Sequence, residues 1–151
     1  MDTRTRSSSP LLLPEDSRTL FTGDAVGAQY PAFPILIPTS PPPSFDFQKA
    51  VASLDRLRAL SPERLCSPHF GVVENADERL ARDLDVLVHW KDEIQNLACQ
   101  KSSVSNIVRA MQNQMCERAQ QPVSKLPAHL RTTMRLNVLG LLAYLEWNSN
   151  R

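Results

Sequence analysis

Two short segments place a side chain that can bind a metal ion directly after a predicted β-strand. In residues 20–27 the carboxylate of Asp24 follows an apolar strand and lies between Gly23 and Gly27. In residues 67–71 the imidazole of His69 follows a second short strand. A carboxylate and a neutral imidazole are both ligands of zinc and iron. Because strand ends hold ligands rigidly and leave one side open to substrate, the pattern is compatible with a metal site.

The same residues also have a structural interpretation. Asp24 could accept hydrogen bonds from turn amides, and His69 could cap the end of its strand. Cys66 is expected to be a small buried residue beside them rather than a ligand or nucleophile. His89 and His129 fall in helical segments, where we expect structural or solvent-facing roles. We predict no catalytic residue beyond Asp24 and His69 and no organic cofactor, and spacing alone leaves the metal and structural interpretations open.

The first predicted elements are a β-hairpin and a proline-rich loop. Apolar runs at residues 11–13 and 19–22, separated by a polar turn, predict the hairpin. Residues 27–43 contain six prolines, all from residue 31 onwards, and this density predicts a loop with no regular helix or central strand. Within this loop residues 30–37 are apolar, so they either line a substrate pocket or cover the core.

A helix and a strand follow the loop and lead to His69. Ser44 is a plausible N-cap for a helix over residues 44–60. The apolar residues of this segment follow the 4, 3, 3 spacing of one helical face, namely Phe47, Val51, Leu54 and Leu57. After a Ser-Pro turn, Leu65 and Cys66 are expected to form a short buried strand.

Residues 75–151 have a different character, because three amphipathic helices are predicted there. The first begins at Asn75, which has capping-box-like spacing to Glu78. The second begins at about Ser103 and the third near Pro127. Their apolar stripes cannot be buried by the helices singly, so they must pack together or against the preceding segment.

Composition excludes several classes of protein. The 151 residues carry 17 basic and 16 acidic side chains, so neither nucleic-acid nor membrane-surface binding is expected. No apolar stretch approaches the roughly 20 residues of a membrane helix. Three cysteines without regular spacing argue against a disulfide framework or a zinc knuckle. A cytoplasmic location is therefore expected.

Residues 20–27 resemble the late motif of metallo-β-lactamase-fold hydrolases, in which a strand runs into Thr-Gly-Asp. The helix over residues 45–60 and the following residues 61–71 are similar to that family's next helix, next strand and last metal-binding histidine. The resemblance covers residues 11–73 well and the helices more loosely. It implies an α/β (α+β) fold with three parts. These are a disordered lead-in at residues 1–10, the C-terminal half of an αββα sandwich at 11–74, and a helical region at 75–151.

The family also implies a chemistry. Asp24 would bridge two zinc or iron ions and His69 would bind one of them, so that a metal-generated hydroxide hydrolyses an unidentified small molecule. The family's His-x-His-x-Asp-His motif and a further histidine should precede Asp24, but residues 1–23 contain no histidine. We therefore expect a truncated hydrolase that binds metal weakly and is inactive as this isolated chain. Its status as an enzyme stays open.

Two further expectations concern partners. A half-domain would expose one face of its sheet, through which it could associate with another chain. The alternative function is a non-enzymatic helical interaction module on a half-domain scaffold. A DNA-binding helix-turn-helix within residues 103–145 is disfavoured, because the basic excess after residue 75 is only two and the turn lacks glycine.

Overall fold

The computed structural model describes residues 11–12, 18–30, 33–69 and 71–150, and the predicted lead-in at 1–10 lies outside them. The strands are β1 (Leu11–Leu12), β2 (Thr19–Phe21), β3 (Ala28–Tyr30), β4 (Phe33–Ile37), β5 (Arg64–Ser67) and β6 (Gly71–Val73). The helices are α1 (Phe47–Ala59), α2 (Ala76–Cys99), α3 (Val104–Arg118) and α4 (Ala128–Ser149). This mixed composition with a helical C-terminal region confirms the predicted fold class.

The four-stranded sheet has the order β1-β2-β5-β6. The predicted hairpin is confirmed, since β1 and β2 pair antiparallel. The next pair, β2 and β5, is parallel, and α1 lies between these two strands along the chain. Strand β6 was not predicted, and it pairs antiparallel with β5 along the far edge of the sheet. Leu20 and Leu65 point from the central strands into the core and are fully buried.

The prediction that residues 27–43 form an irregular loop is wrong for their first half, where β3 and β4 form an antiparallel hairpin. Pro34 lies within β4 and is exposed. Proline is tolerated there because each strand of a two-stranded sheet keeps one unpaired edge, which needs no backbone donor. Phe33 and Ile37 are buried in the core, so this apolar segment covers the core rather than lining a substrate pocket.

Helix α1 confirms the predicted apolar face but begins later than predicted. The N-cap is Asp46 rather than Ser44, and its Oδ1 accepts a hydrogen bond of 3.1 Å from the backbone N–H of Lys49. A carboxylate at this position satisfies a free amide of the first turn, so the shorter helix is properly capped. Leu54 and Leu57 are 2% exposed and form part of the core.

The C-terminal helices begin where the sequence predicts. The N-caps of α2, α3 and α4 are Asn75, Ser103 and Pro127. The predicted boundary at residue 74 stays a prediction, while the apolar core is continuous across it. A single buried cluster contains Leu65 of the sheet and Trp90 of α2. None of the described helices combines the length and apolarity that a membrane crossing requires.

Helix α4 contacts the chain that follows β4 at close range. The backbone N–H of Ser40 donates to Oδ1 of Asn137 at 2.8 Å, and the Ser40 hydroxyl donates to the Asn137 carbonyl at 3.1 Å. Both residues are buried. One turn further along α4, Gly140 faces the Ser40 carbonyl, and a Cβ atom on Gly140 would lie only 1.7 Å from that oxygen. The helix can approach the loop this closely because Gly140 has no side chain.

Candidate metal centre at the ends of two parallel strands

Asp24 and His69 follow adjacent parallel strands and meet at one edge of the sheet. The register pairs Phe21 of β2 with Cys66 of β5, and the Thr22 N–H donates to the Cys66 carbonyl at 3.1 Å. The segments that follow β2 and β5 therefore leave the sheet side by side. Although they lie 45 positions apart in sequence, Asp24 Oδ1 and His69 Nε2 are 3.0 Å apart.

Local backbone structure sets the positions of the Asp24 and His69 side chains. Asp24 lies in a single 3₁₀ turn, Gly23–Ala25, closed by a 3.1 Å hydrogen bond from the Ala25 N–H to the Thr22 carbonyl. Gly23 begins this turn with a φ of 51°, a left-handed conformation that glycine adopts without strain. On the other side, the His69 N–H donates to the Ser67 hydroxyl at 3.3 Å, which closes a tight turn after β5.

The pair faces solvent, since the Asp24 side chain is 65% exposed and the His69 side chain 49% exposed. A carboxylate only accepts hydrogen bonds, so in a neutral imidazole Nε2 must carry the proton that Asp24 accepts. Exposed carboxylate–imidazole pairs contribute little to stability. The fold therefore does not depend on this contact.

The donor set fits part of a metal site. Asp24 Oδ1 and His69 Nε2 lie 3.0 Å apart, and a carboxylate and an imidazole are both ligands of zinc and iron, with bonds of about 2.0 to 2.2 Å. Catalytic zinc sites have three protein ligands and structural sites four. Among the described residues, no group of three or more His, Cys, Asp or Glu could hold a metal ion. Asp24 and His69 therefore fit as two ligands, but the described chain does not complete the set.

The other two histidines lie elsewhere and contact protein groups. His89 is half-buried, with Nε2 2.8 Å from Gln114 Oε1 and 2.9 Å from Arg118 Nη2. His129 is exposed in the first turn of α4, and its ring lies against Tyr30 with centroids 5.7 Å apart. These surroundings agree with the structural or solvent-facing roles predicted for them.

All three cysteines are described and none is in a disulfide. Cys66, expected to be buried beside the site, is half-buried in β5. Its backbone carbonyl accepts the hydrogen bond that holds Thr22, the residue before the 3₁₀ turn. The residue therefore contributes to the site through its backbone.

A buried ion pair on α2 contacts the loop that carries Asp24, and sequence reasoning missed it. Arg79 Nε and Asp83 Oδ2 are 3.0 Å apart, with side chains 3% and 2% exposed. The Gly27 N–H donates to Asp83 Oδ1 at 2.9 Å, and Arg79 Nη2 donates to the Gly27 carbonyl at 2.8 Å. The signal in the sequence was an arginine and an aspartate one turn apart on the buried face of α2.

Burial changes the protonation equilibria of both members of this pair. Loss of hydration raises the pKa of Asp83 to about 6, although Arg79 and the Gly27 N–H act in the opposite direction. Loss of hydration also lowers the pKa of Arg79, against the attraction of Asp83. The pair therefore offsets only part of the penalty for removing two charges from water.

The shifted pKa of Asp83 predicts a pH-dependent stability. Because this pKa lies above the ordinary value of 3.8, the folded protein binds more protons than the unfolded chain at pH values between 3.8 and about 6. Stability from this group is full below 3.8 and is lost as the pH rises through about 6. The free energy of unfolding of the wild type, measured relative to that of Asp83→Asn, should therefore rise by roughly 1 kcal/mol when the pH is lowered from about 7 to about 5. Chemical denaturation checks this, and a pH-independent difference would contradict it.

Comparisons with known proteins find matches among solved structures, whereas no protein-family model and no curated protein matches. An archaeal metallo-β-lactamase superfamily protein from Sulfolobus tokodaii is 32% identical over 45% of this chain, with a TM-score of 0.39. A metallo-β-lactamase family protein from Thermus thermophilus is 17% identical over 89% of this chain, with a TM-score of 0.48. This chain spans 25% and 38% of their lengths. Both names agree with the family that residues 11–73 were predicted to resemble.

Proposed function

We propose that residues 11–73 supply one side of a two-metal hydrolytic site, with Asp24 as the bridging ligand and His69 as a ligand of one ion. The observation that carries the proposal is the 3.0 Å separation of their side chains at the ends of two adjacent parallel strands. Strand ends of this kind are where open α/β sheets bind ligands. The metal would be zinc or iron, and the substrate a small molecule.

The chemistry of the two side chains suits these roles. A carboxylate has two oxygens and can contact two cations, whereas an imidazole binds one cation through a nitrogen that carries no proton. Both side chains are open to solvent, so metal and substrate could reach them without movement of the core. Two cations held there would supply the Lewis acidity that hydrolysis of an ester or phosphodiester needs.

The remaining ligands must come from outside the described residues, and the open face of the sheet supports a place for them. Phe21, Cys66 and Val72 form a row across β2, β5 and β6 on the face opposite Leu20 and Leu65. Phe21 is 38% and Val72 59% exposed. We propose that a second sheet, carrying the His-x-His-x-Asp-His motif, covers this face. Burial of its apolar row would favour that association.

The first experiment measures metal bound by this chain alone. After dialysis at neutral pH we expect negligible stoichiometric zinc or iron, because two ligands hold such ions poorly. Elemental analysis gives the metal content. About two tightly held ions per chain, lost in Asp24→Ala or His69→Ala, would overturn the view that the site is incomplete.

The second experiment joins this chain to a segment that supplies the His-x-His-x-Asp-His motif and its preceding strands. We expect tight metal binding and hydrolysis of an activated ester or phosphodiester. Asp24→Asn should lower metal retention and rate together, because a neutral amide bridges two cations poorly. His69→Ala should weaken mainly one ion. The matched controls are Asp55→Asn and His129→Ala, which change exposed side chains of α1 and α4.

The joined protein also separates the two functions considered from the sequence. If it binds metal equally well without Asp24 and His69, the assignment of these ligands is wrong. If the joined protein binds no metal at all, the alternative, a helical interaction module on a half-domain scaffold, is the better account of the chain.

A further inference from the structure

The 3₁₀ turn Gly23–Ala25 is anchored at both of its ends. Before the turn, the Thr22 N–H is bonded to the carbonyl of Cys66. After it, the backbone N–H and carbonyl of Gly27 are both bonded to the Arg79–Asp83 pair of α2. The first anchor belongs to the sheet and the second to the helical region.

The second anchor requires a close approach. A Cβ atom on Gly27 would lie 2.6 Å from the Ile37 carbonyl and 2.8 Å from Asp83 Oδ1, so only glycine fits. Arg79 extends the contact, because its Nη1 donates to Oε1 of Gln29 at 3.1 Å. Helix α2 therefore fixes the path of the chain at Gly27, three residues after Asp24.

A buried ion pair is an inefficient way to stabilise a core. Apolar residues of similar size often stabilise as well or better, because they avoid the desolvation of two charges. Apolar residues could not make the hydrogen bonds to Gly27. In these bonds the Gly27 N–H donates to the Asp83 carboxylate, and the Gly27 carbonyl accepts from the Arg79 guanidinium. Such bonds fix the position of the Gly27 backbone as well as contributing to stability.

We propose that Arg79 and Asp83 are positioning residues that hold the Gly23–Ala25 turn so that the Asp24 carboxylate meets the His69 imidazole. The consequence for metal binding rests on the proposed function. The contact between Asp24 and His69 does not, because it can be measured in the metal-free chain. The proposal gives the helical region a role in the site.

The test reads the tautomer of His69 from imidazole ¹⁵N chemical shifts, recorded above the titration range of histidine. In the wild type the Nε2–H form should be more populated than in Asp24→Ala, because Asp24 accepts that proton. Asp24→Ala defines the value without the contact. In Arg79→Gln and Asp83→Asn, the tautomer ratio should move most of the way to that value, and hydrogen exchange at the Gly27 amide should speed up at least tenfold.

Two controls separate positioning from general loss of stability. Arg82→Gln changes an exposed arginine of α2 and should leave the His69 shifts at their wild-type values. Ile107→Val trims a buried side chain of α3 and should also leave them unchanged. If Ile107→Val shifts the tautomer ratio as much as Arg79→Gln does, the role of the pair is general stability and the proposal is wrong.

A milder variant keeps the test decisive if Arg79→Gln does not fold. Arg79→Lys retains the charge but lacks the fork that reaches Asp83 and Gly27 together, so an intermediate tautomer ratio is expected. A wild-type ratio in folded Arg79→Lys and Asp83→Asn would overturn the proposal. In the joined protein, Arg79→Gln should lower metal retention as Asp24→Asn does. If that protein binds no metal in its wild-type form, the proposed function fails, while the tautomer result still decides the positioning role.

Discussion

Gly140→Ala should destabilise the protein by about 3 kcal/mol or more, even though alanine is the better helix former. The added Cβ would lie 1.7 Å from the carbonyl oxygen of Ser40 and 2.8 Å from its carbonyl carbon. Both atoms belong to the backbone, so no side-chain rotation can relieve the clash. Helix α4 would have to move away from the segment that follows β4.

That movement would also weaken the buried hydrogen bonds between Ser40 and Asn137. Their loss leaves polar groups without partners in the core, which adds to the steric penalty. The denaturant midpoint measures the effect. Arg135→Ala, at an exposed position of α4, is the control and should change stability by no more than about 0.5 kcal/mol. An unchanged midpoint for Gly140→Ala would show that α4 does not approach Ser40 this closely in solution.

The elements that the sequence predicts correctly are those set by local patterns. Helix α1 carries its apolar residues at helical spacing, and β2 and β5 are short segments with apolar residues, bounded by turn residues. The start of α3 is equally local, since the Ser103 hydroxyl accepts a hydrogen bond from the Asn106 N–H at 3.3 Å. These signals lie within a few residues of the element they define.

The errors in the strands have tertiary causes, whereas the error at the start of α1 is local. Prolines around β3 and β4 suggested a loop, but the two strands pair with one another and β4 packs against the helices α2 and α3. Packing against that surface outweighs the weak strand propensity of Pro34. The start of α1 was misplaced because Ser44 and Asp46 are both good N-caps, and sequence alone does not rank them. Strand β6 is only three residues long, and its pairing with β5 defines it.

The candidate site also has one part that was predicted from the sequence and one part that was not. Asp24 and His69 were predicted from a resemblance to a known motif, and the parallel pairing of β2 with β5 explains why they lie close together. The Arg79–Asp83 pair could not be assigned, because its partner is the backbone of Gly27, 56 positions before Asp83. Every residue type except proline has the same backbone groups, so residue types do not show which backbone group binds the pair. The indication here is that Gly27 is a glycine, which leaves room for Asp83.

Arg79→Leu should be among the most destabilising single substitutions in the protein, lowering the free energy of unfolding by about 3 to 5 kcal/mol. The reason is the partner left behind, since Asp83 is 2% exposed and would keep an unpaired carboxylate in the core. Asp83→Leu should be similarly costly, because it leaves the Arg79 guanidinium buried without its carboxylate.

The double variant Arg79→Leu/Asp83→Leu should lose much less stability than the sum of the two single losses, because no uncompensated charge remains. It should still be less stable than the wild type by roughly 2 kcal/mol, since the backbone N–H and carbonyl of Gly27 lose their partners. Chemical denaturation of the four proteins measures the coupling, with Arg82→Leu as the exposed control on α2. Additive losses would mean that the two charges act independently, and a fully stable double variant would mean that Gly27 does not need them.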